Sequence, residues 1–108
     1  MGGKKKILRT KRRLLVRFGA KAPDLTAYTR NISETGLYLE TSRAVQPGTD
    51  LQLEIVTPDR TFEVWAVVVW AKTYPAQFQH LLRGGIGCRF AHASQEWLDF
   101  YRRWKDET

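Results

Sequence analysis

The chain has 108 residues and a net charge of +7, with 43% hydrophobic and 27% charged residues. That length suits one domain with a single modest core and is too short for a large cleft-bearing enzyme. Disorder is excluded beyond the ends; the lone cysteine, Cys88, rules out an intramolecular disulfide, and no apolar run approaches the ~18 residues of a membrane span.

The chain begins with a basic arm. Residues 1–21 carry nine Lys or Arg and no acid, half of the chain's positive charge, so residues 22–108 are close to neutral. A basic arm on a neutral body implies an anionic partner: nucleotide, nucleic acid or membrane surface. A solubilising tail is the plainer alternative. Residues 1–11 are polar, like-charged and aperiodic, which predicts a flexible arm ahead of a single domain over 12–108. Lys4 to Lys6 are followed by only two apolar residues before Arg9, so no secretory signal is expected. With one cysteine in an apolar strand pattern, the expectation is a cytoplasmic protein with an inert buried thiol.

Leu14, Val16 and Phe18 alternate with Leu15 and Arg17, predicting a first strand that ends near Gly19. After the Pro23-Asp24 turn, residues 25–31 fit a second strand and 31–36 a tight turn. Leu37 to Thr41 form the third strand. Pro47-Gly48 turns the chain into a fourth, where Leu51, Leu53 and Ile55 alternate with Gln52 and Glu54. Residues 57–60 read as a hairpin connection to a fifth strand, Phe62 to Trp70. Both faces of that strand are apolar from Val64 onward, so it is expected to be central and covered. Residues 71–83 form a long connection containing Pro75. Gly85 to Phe90 is the sixth strand, its glycines at 85 and 87 marking a barrel corner or a close backbone approach.

A helix over 94–106 closes the chain. Ser94 is its candidate N-cap, and Arg102, Arg103 and Lys105 suit its C-terminal end. Trp97, Phe100, Tyr101 and Trp104 follow the i, i+3, i+4, i+7 pattern. They either close a barrel mouth or offer a partner surface. Six short strands and one helix predict an all-β fold, a small antiparallel barrel with a C-terminal helix.

Two motifs carry the chemistry. Arg9-Thr10-Lys11-Arg12-Arg13 places arginines four residues apart, with Arg12 as a third cation. Guanidinium makes bidentate bonds to phosphate and to guanine O6 and N7, and it stacks on bases. Arg17 creates an overlapping pair but falls inside a strand. Asn31-Ile32-Ser33-Glu34-Thr35-Gly36 follows eighteen residues after Arg13. Asn31 can pair with a guanine edge or cap its own turn, Ser33 can reach a base or phosphate, and Gly36 can take positive φ as the chain reverses. An ordinary Asx-type turn is the alternative for this hexapeptide.

In order and spacing these motifs resemble the RxxxR and (D/N)xSxxG signatures of the PilZ domain family, and the resemblance extends over residues 9–93. It includes Gly36-Leu37-Tyr38-Leu39, Val67-Val68-Val69-Trp70 and Gly85-Ile86-Gly87-Cys88-Arg89-Phe90. The resemblance implies a six-stranded antiparallel PilZ-type β-barrel with a terminal helix. It also implies binding of cyclic di-GMP, with no other cofactor, in a stand-alone receptor acting in motility, biofilm or virulence control. Arg9, Arg13 and the neighbouring Arg12 would clamp phosphates and guanine edges. Asn31, Ser33 and Gly36 would line the base pocket, and Trp70 would add to it, unless it is a core tryptophan. Leu8 stands where related domains with an arginine favour an intercalated ligand dimer, so one nucleotide per chain is expected.

No nucleophile motif, phosphate-cradling loop or metal-ligand spacing appears, so catalysis is not expected. The expected output is intermolecular: the arm closes on the nucleotide and alters the surface seen by a protein partner. A nucleotide-independent adaptor and a basic barrel binding nucleic acid are the competing readings. Against the second, the charge is confined to one terminus rather than spread along the strands.

Overall fold

A computed structural model of the chain describes residues 13–106. In these residues the strands are β1 (Leu15–Gly19), β2 (Leu25–Ile32), β3 (Gly36–Glu40), β4 (Asp50–Val56), β5 (Thr61–Lys72) and β6 (Gly85–His92), followed by helix α1 (Gln95–Asp106). All neighbouring strands are antiparallel and close into a barrel in the order β1-β2-β3-β6-β5-β4. The alternation read from the sequence is the inside–outside pattern of this barrel. Val16, Phe18, Leu39, Leu53, Ile55 and Ile86 point inward and are buried. The connection between β5 and β6 holds a single 3-10 turn, Ala76–Phe78, which its sequence did not signal.

Helix α1 covers one mouth of the barrel. The Ser94 hydroxyl accepts the Trp97 N–H at 3.1 Å, the expected N-cap. Trp97, Phe100, Tyr101 and Trp104 are all buried, which resolves their role as barrel closure. Trp97 meets Phe62 and Phe90 edge-on, with ring centroids 5.4 and 5.8 Å apart. Burying each such side chain contributes about 1.5–3 kcal/mol. The Tyr101 hydroxyl donates to the Ile32 carbonyl at 3.2 Å, fixing the helix to the end of β2.

The expected covering of β5 is not found. Its inner face is buried, but on the outer face Trp65, Val69 and Trp70 are about half exposed. The physical reason is that the barrel wall is one layer thick. Among the described residues the one α-helix sits at the mouth, and none of them forms a second layer over the outside of β5. Arg17, set aside as a strand residue, points outward and pairs with Glu54 at 2.6 Å across the β1–β4 ladder.

Candidate functional site

Of three register irregularities among the described residues of the barrel, two β-bulges shape its outer face at the site. In β2 the pairs Thr29↔Leu39 and Asn31↔Tyr38 leave Arg30 as an extra residue. In β5 the pairs Val68↔Cys88 and Trp70↔Gly87 leave Val69 as an extra residue. A bulge switches the parity of the side chains that follow it. Arg30 and Asn31 therefore both avoid the core, as do Val69 and Trp70.

Register then places Asn31, Tyr38, Gly87 and Trp70 side by side in one row across β2, β3, β6 and β5. Gly87 has no side chain, so the rings of Tyr38 and Trp70 lean towards each other over it. They meet edge-on with centroids 5.4 Å apart. At Gly85, one alternation along β6, an added Cβ would strike both the Tyr38 ring and the Leu39 carbonyl oxygen. The close approach expected of this strand's glycines is found there, and it seats the tyrosine. Above the row lies an open cleft of about 430 Å³ whose lining includes Asn31, Ser33, Gly36, Tyr38, Trp70 and Arg89.

The turn from β2 to β3 forms one end of this cleft. The Ser33 N–H donates to the Gly36 carbonyl at 2.8 Å. Its hydroxyl accepts the Thr35 N–H at 3.3 Å and lies 3.3 Å from the Gly36 carbonyl, to which it donates. Ser33, not Asn31, therefore holds the turn. The Asn31 side-chain amide has no hydrogen-bond partner among the described residues and remains available to a ligand. The expected positive φ at Gly36 is not found; among the described residues only Gly48 has one, at 94°. Gly36 is required for a different reason: a Cβ there would collide with the Cys88 carbonyl oxygen on β6. Close packing of β3 on β6 excludes a side chain at this position.

The cationic residues sit around this row. Arg9 and Arg12 lie outside the described residues, as does the expected flexible arm over 1–11. Arg13 is placed by the start of β1, where the Leu14 N–H donates to the Thr29 hydroxyl and the Leu14 carbonyl accepts the Thr29 N–H, both at 2.9 Å. Arg13 does not line the cleft. Its guanidinium crosses the Tyr28 ring, 5.3 Å from the centroid, and bonds the Glu40 carboxylate at 3.0 Å. Arg30 lies 5.9 Å from the Tyr38 centroid and 3.7 Å from the other Glu40 oxygen. Arg89 stands on the cleft wall, exposed, with no carboxylate in ion-pair range among the described residues.

The structure thus brings Asn31, Ser33, Gly36 and Trp70 together in one cleft, with Arg13 on the adjoining patch. Sequence reasoning missed Tyr38, Arg30, Glu40 and Arg89 as site residues. Tyr38 and Arg89 share the outward parity of Gly87 and Gly36 across β3 and β6, a signal that only the register supplies.

Behind the cleft, burial pushes the Cys88 thiol up to about 12, so it stays protonated and inert at neutral pH. The turn is also tied to α1. Glu34 bonds Arg102 at 2.7 Å, which raises the Arg102 pKa, and burial with the nearby Glu34 charge raises that of Tyr101. Among the described residues no cluster of His, Cys, Asp or Glu could hold a metal ion, and no helix is long and apolar enough to cross a membrane.

The PilZ domain family model matches residues 4–101. The chain belongs to the PilZ domain family. Among solved structures it is similar to the Bacillus subtilis inhibitor of motility, MotI/DgrA, with a TM-score of 0.74 and 21% identity over 94% of this chain. That likeness is one of fold, and the chain matches 51% of that protein's length. Among curated protein sequences none matches. PilZ proteins are binding and adaptor domains rather than enzymes. The six-stranded antiparallel barrel with one C-terminal helix is the architecture expected of this PilZ chain.

Proposed function

We propose that this PilZ domain is a receptor for cyclic di-GMP, bound in the cleft over β2, β3, β6 and β5 and reported to a protein partner. The observation that carries this reading is the row Asn31–Tyr38–Gly87–Trp70, in which a glycine notch lies between a half-buried ring, Tyr38, and an exposed one, Trp70, beside an amide with no partner among the described residues. Such a row suits a planar, polar-edged base. The rings supply stacking surface, and Asn31 supplies one donor and one acceptor for a guanine edge. Arg89 supplies a fork for guanine O6 and N7 or for a phosphate.

The cleft volume falls within the ~300–1,000 Å³ of small-molecule sites. Because the cleft is open, part of a cyclic dinucleotide stays outside it. In this reading Arg9, Arg12 and Arg13 meet that part, neutralising its phosphates. Closing the basic arm over the ligand changes the surface presented to the partner, and Leu8 favours one nucleotide per chain.

Calorimetric titration with cyclic di-GMP tests the reading, with Arg9→Ala/Arg13→Ala as control. The expected result is saturation at one nucleotide per chain and a loss of about 2–5 kcal/mol for each arginine removed. Silence from a folded wild type would refute the receptor reading in favour of a nucleotide-independent adaptor.

A further inference from the structure

Glu40 is placed where a carboxylate would hinder an anion receptor. It follows Tyr38 by one alternation on β3, opposite Tyr28 on β2 and Gly85 on β6. Its side chain is only 11% exposed, and its two oxygens face two different arginines, Arg13 and Arg30. Each of these arginines lies over a tyrosine of the same sheet face, Arg13 over Tyr28 and Arg30 over Tyr38. Two cations therefore converge, on aromatic supports, around one anionic group with two oxygens. A phosphodiester has the same description: one negative charge and two free oxygens. Guanidinium binds both groups through the same N–H geometry.

We propose that Glu40 occupies a phosphate subsite in the free protein, bridging Arg13 and Arg30, and that a ligand phosphate binds by exchanging for this carboxylate. The inference rests on the cyclic di-GMP reading and adds to it both a residue outside the two motifs, Arg30, and an internal competitor. The exchange conserves charge at the subsite, so neither arginine is left uncompensated. The displaced carboxylate also has a destination. A second cleft, of about 230 Å³, is lined by Glu40 itself and by Arg83. Among the described residues Arg83 has no ion-pair partner.

The test is calorimetric titration of wild type, Glu40→Gln, Arg30→Gln and Arg13→Ala/Glu40→Gln with cyclic di-GMP. Thermal melting of each variant checks the fold. Glutamine keeps the shape of the side chain but cannot compete as an anion. Glu40→Gln is expected to bind about three- to tenfold more tightly, the equivalent of releasing partly exposed ion pairs. Arg30→Gln is expected to bind more weakly, and the gain from Glu40→Gln is expected to vanish without Arg13. If the folded wild type is silent, the receptor reading falls and the exchange falls with it, even where Glu40→Gln binds. Unchanged or weaker binding by folded Glu40→Gln, beside a wild type that binds, overturns the exchange and leaves Glu40 as a support for Arg13; the receptor reading survives. Silence from both overturns the receptor reading and the exchange together. Should Glu40→Gln not fold, Arg30→Gln decides: undiminished affinity there overturns the subsite.

Discussion

Replacing Trp70 by alanine separates a ligand platform from a core residue. Trp70 is 47% exposed and touches one other ring, Tyr38. Trp97 is fully buried and meets four rings, those of Phe62, Phe90, Phe100 and Tyr101. Truncating a core tryptophan costs about 3–5 kcal/mol, part of it from the cavity left behind. On an open face no cavity forms. About half of the ~1.5–3 kcal/mol burial term is lost, together with an edge contact of ~0.5–1.5 kcal/mol. Trp70→Ala should therefore cost about 1–3 kcal/mol in urea denaturation, against about 3–5 kcal/mol for Trp97→Ala. Its affinity for cyclic di-GMP should fall by about 1–3 kcal/mol, the scale of one base stacked on an aromatic ring. A stability loss equal to that of Trp97→Ala would make Trp70 a core residue. An unchanged affinity would remove it from the site.

Three further outcomes are expected. Gly36→Ala should lower stability by about 1–3 kcal/mol, because its Cβ meets the backbone carbonyl of Cys88 rather than a side chain that can move; an unchanged melting temperature would refute the close-packing account. Arg89→Ala should leave stability within about 0.5 kcal/mol, since the side chain is exposed and unpaired among the described residues, yet weaken nucleotide binding and flatten its salt dependence. With its pKa raised from 9.0 to about 12, Cys88 holds its proton more tightly in the folded state than in the unfolded chain. Its contribution is thus intact below about pH 9 and lost as pH rises towards 12. Alkylation at pH 8 should label Cys88 only after denaturation, and rapid labelling of the folded protein would contradict its burial.

Much of this barrel was legible because one side of each strand faces a dry core. The alternation of Leu51, Leu53 and Ile55, the turns at Pro23 and Pro47, and the spacing of Trp97, Phe100, Tyr101 and Trp104 all report that geometry directly. The bulges were not legible. Nothing in the string Val67-Val68-Val69-Trp70 reveals that Val69 is an extra residue, so an outer face that carries ring and cleft read as a covered one. At Gly36 the need for a glycine was clear, but the cause lies across the sheet on β6, which a local turn argument cannot see. Asn31 and Ser33 stood out by residue type, while their division of labour depends on hydrogen bonds within the turn. Glu40 and Arg30 carry no motif; only the β2–β3 register brings them beside Arg13.

Closure of the barrel also limits how this domain can speak to another protein. Open sheets are often read through their edges, where a partner's extended segment adds a strand and is held by main-chain bonds. Here β4 returns to β1, so the six-strand circuit has no first or last member to extend. Strand addition would require breaking an existing ladder. Recognition must then be written in side chains, on the outer wall, in the connecting loops or along the helix. A partner that discriminates between liganded and free forms would have to sense how those side chains are arranged, not an unpaired edge.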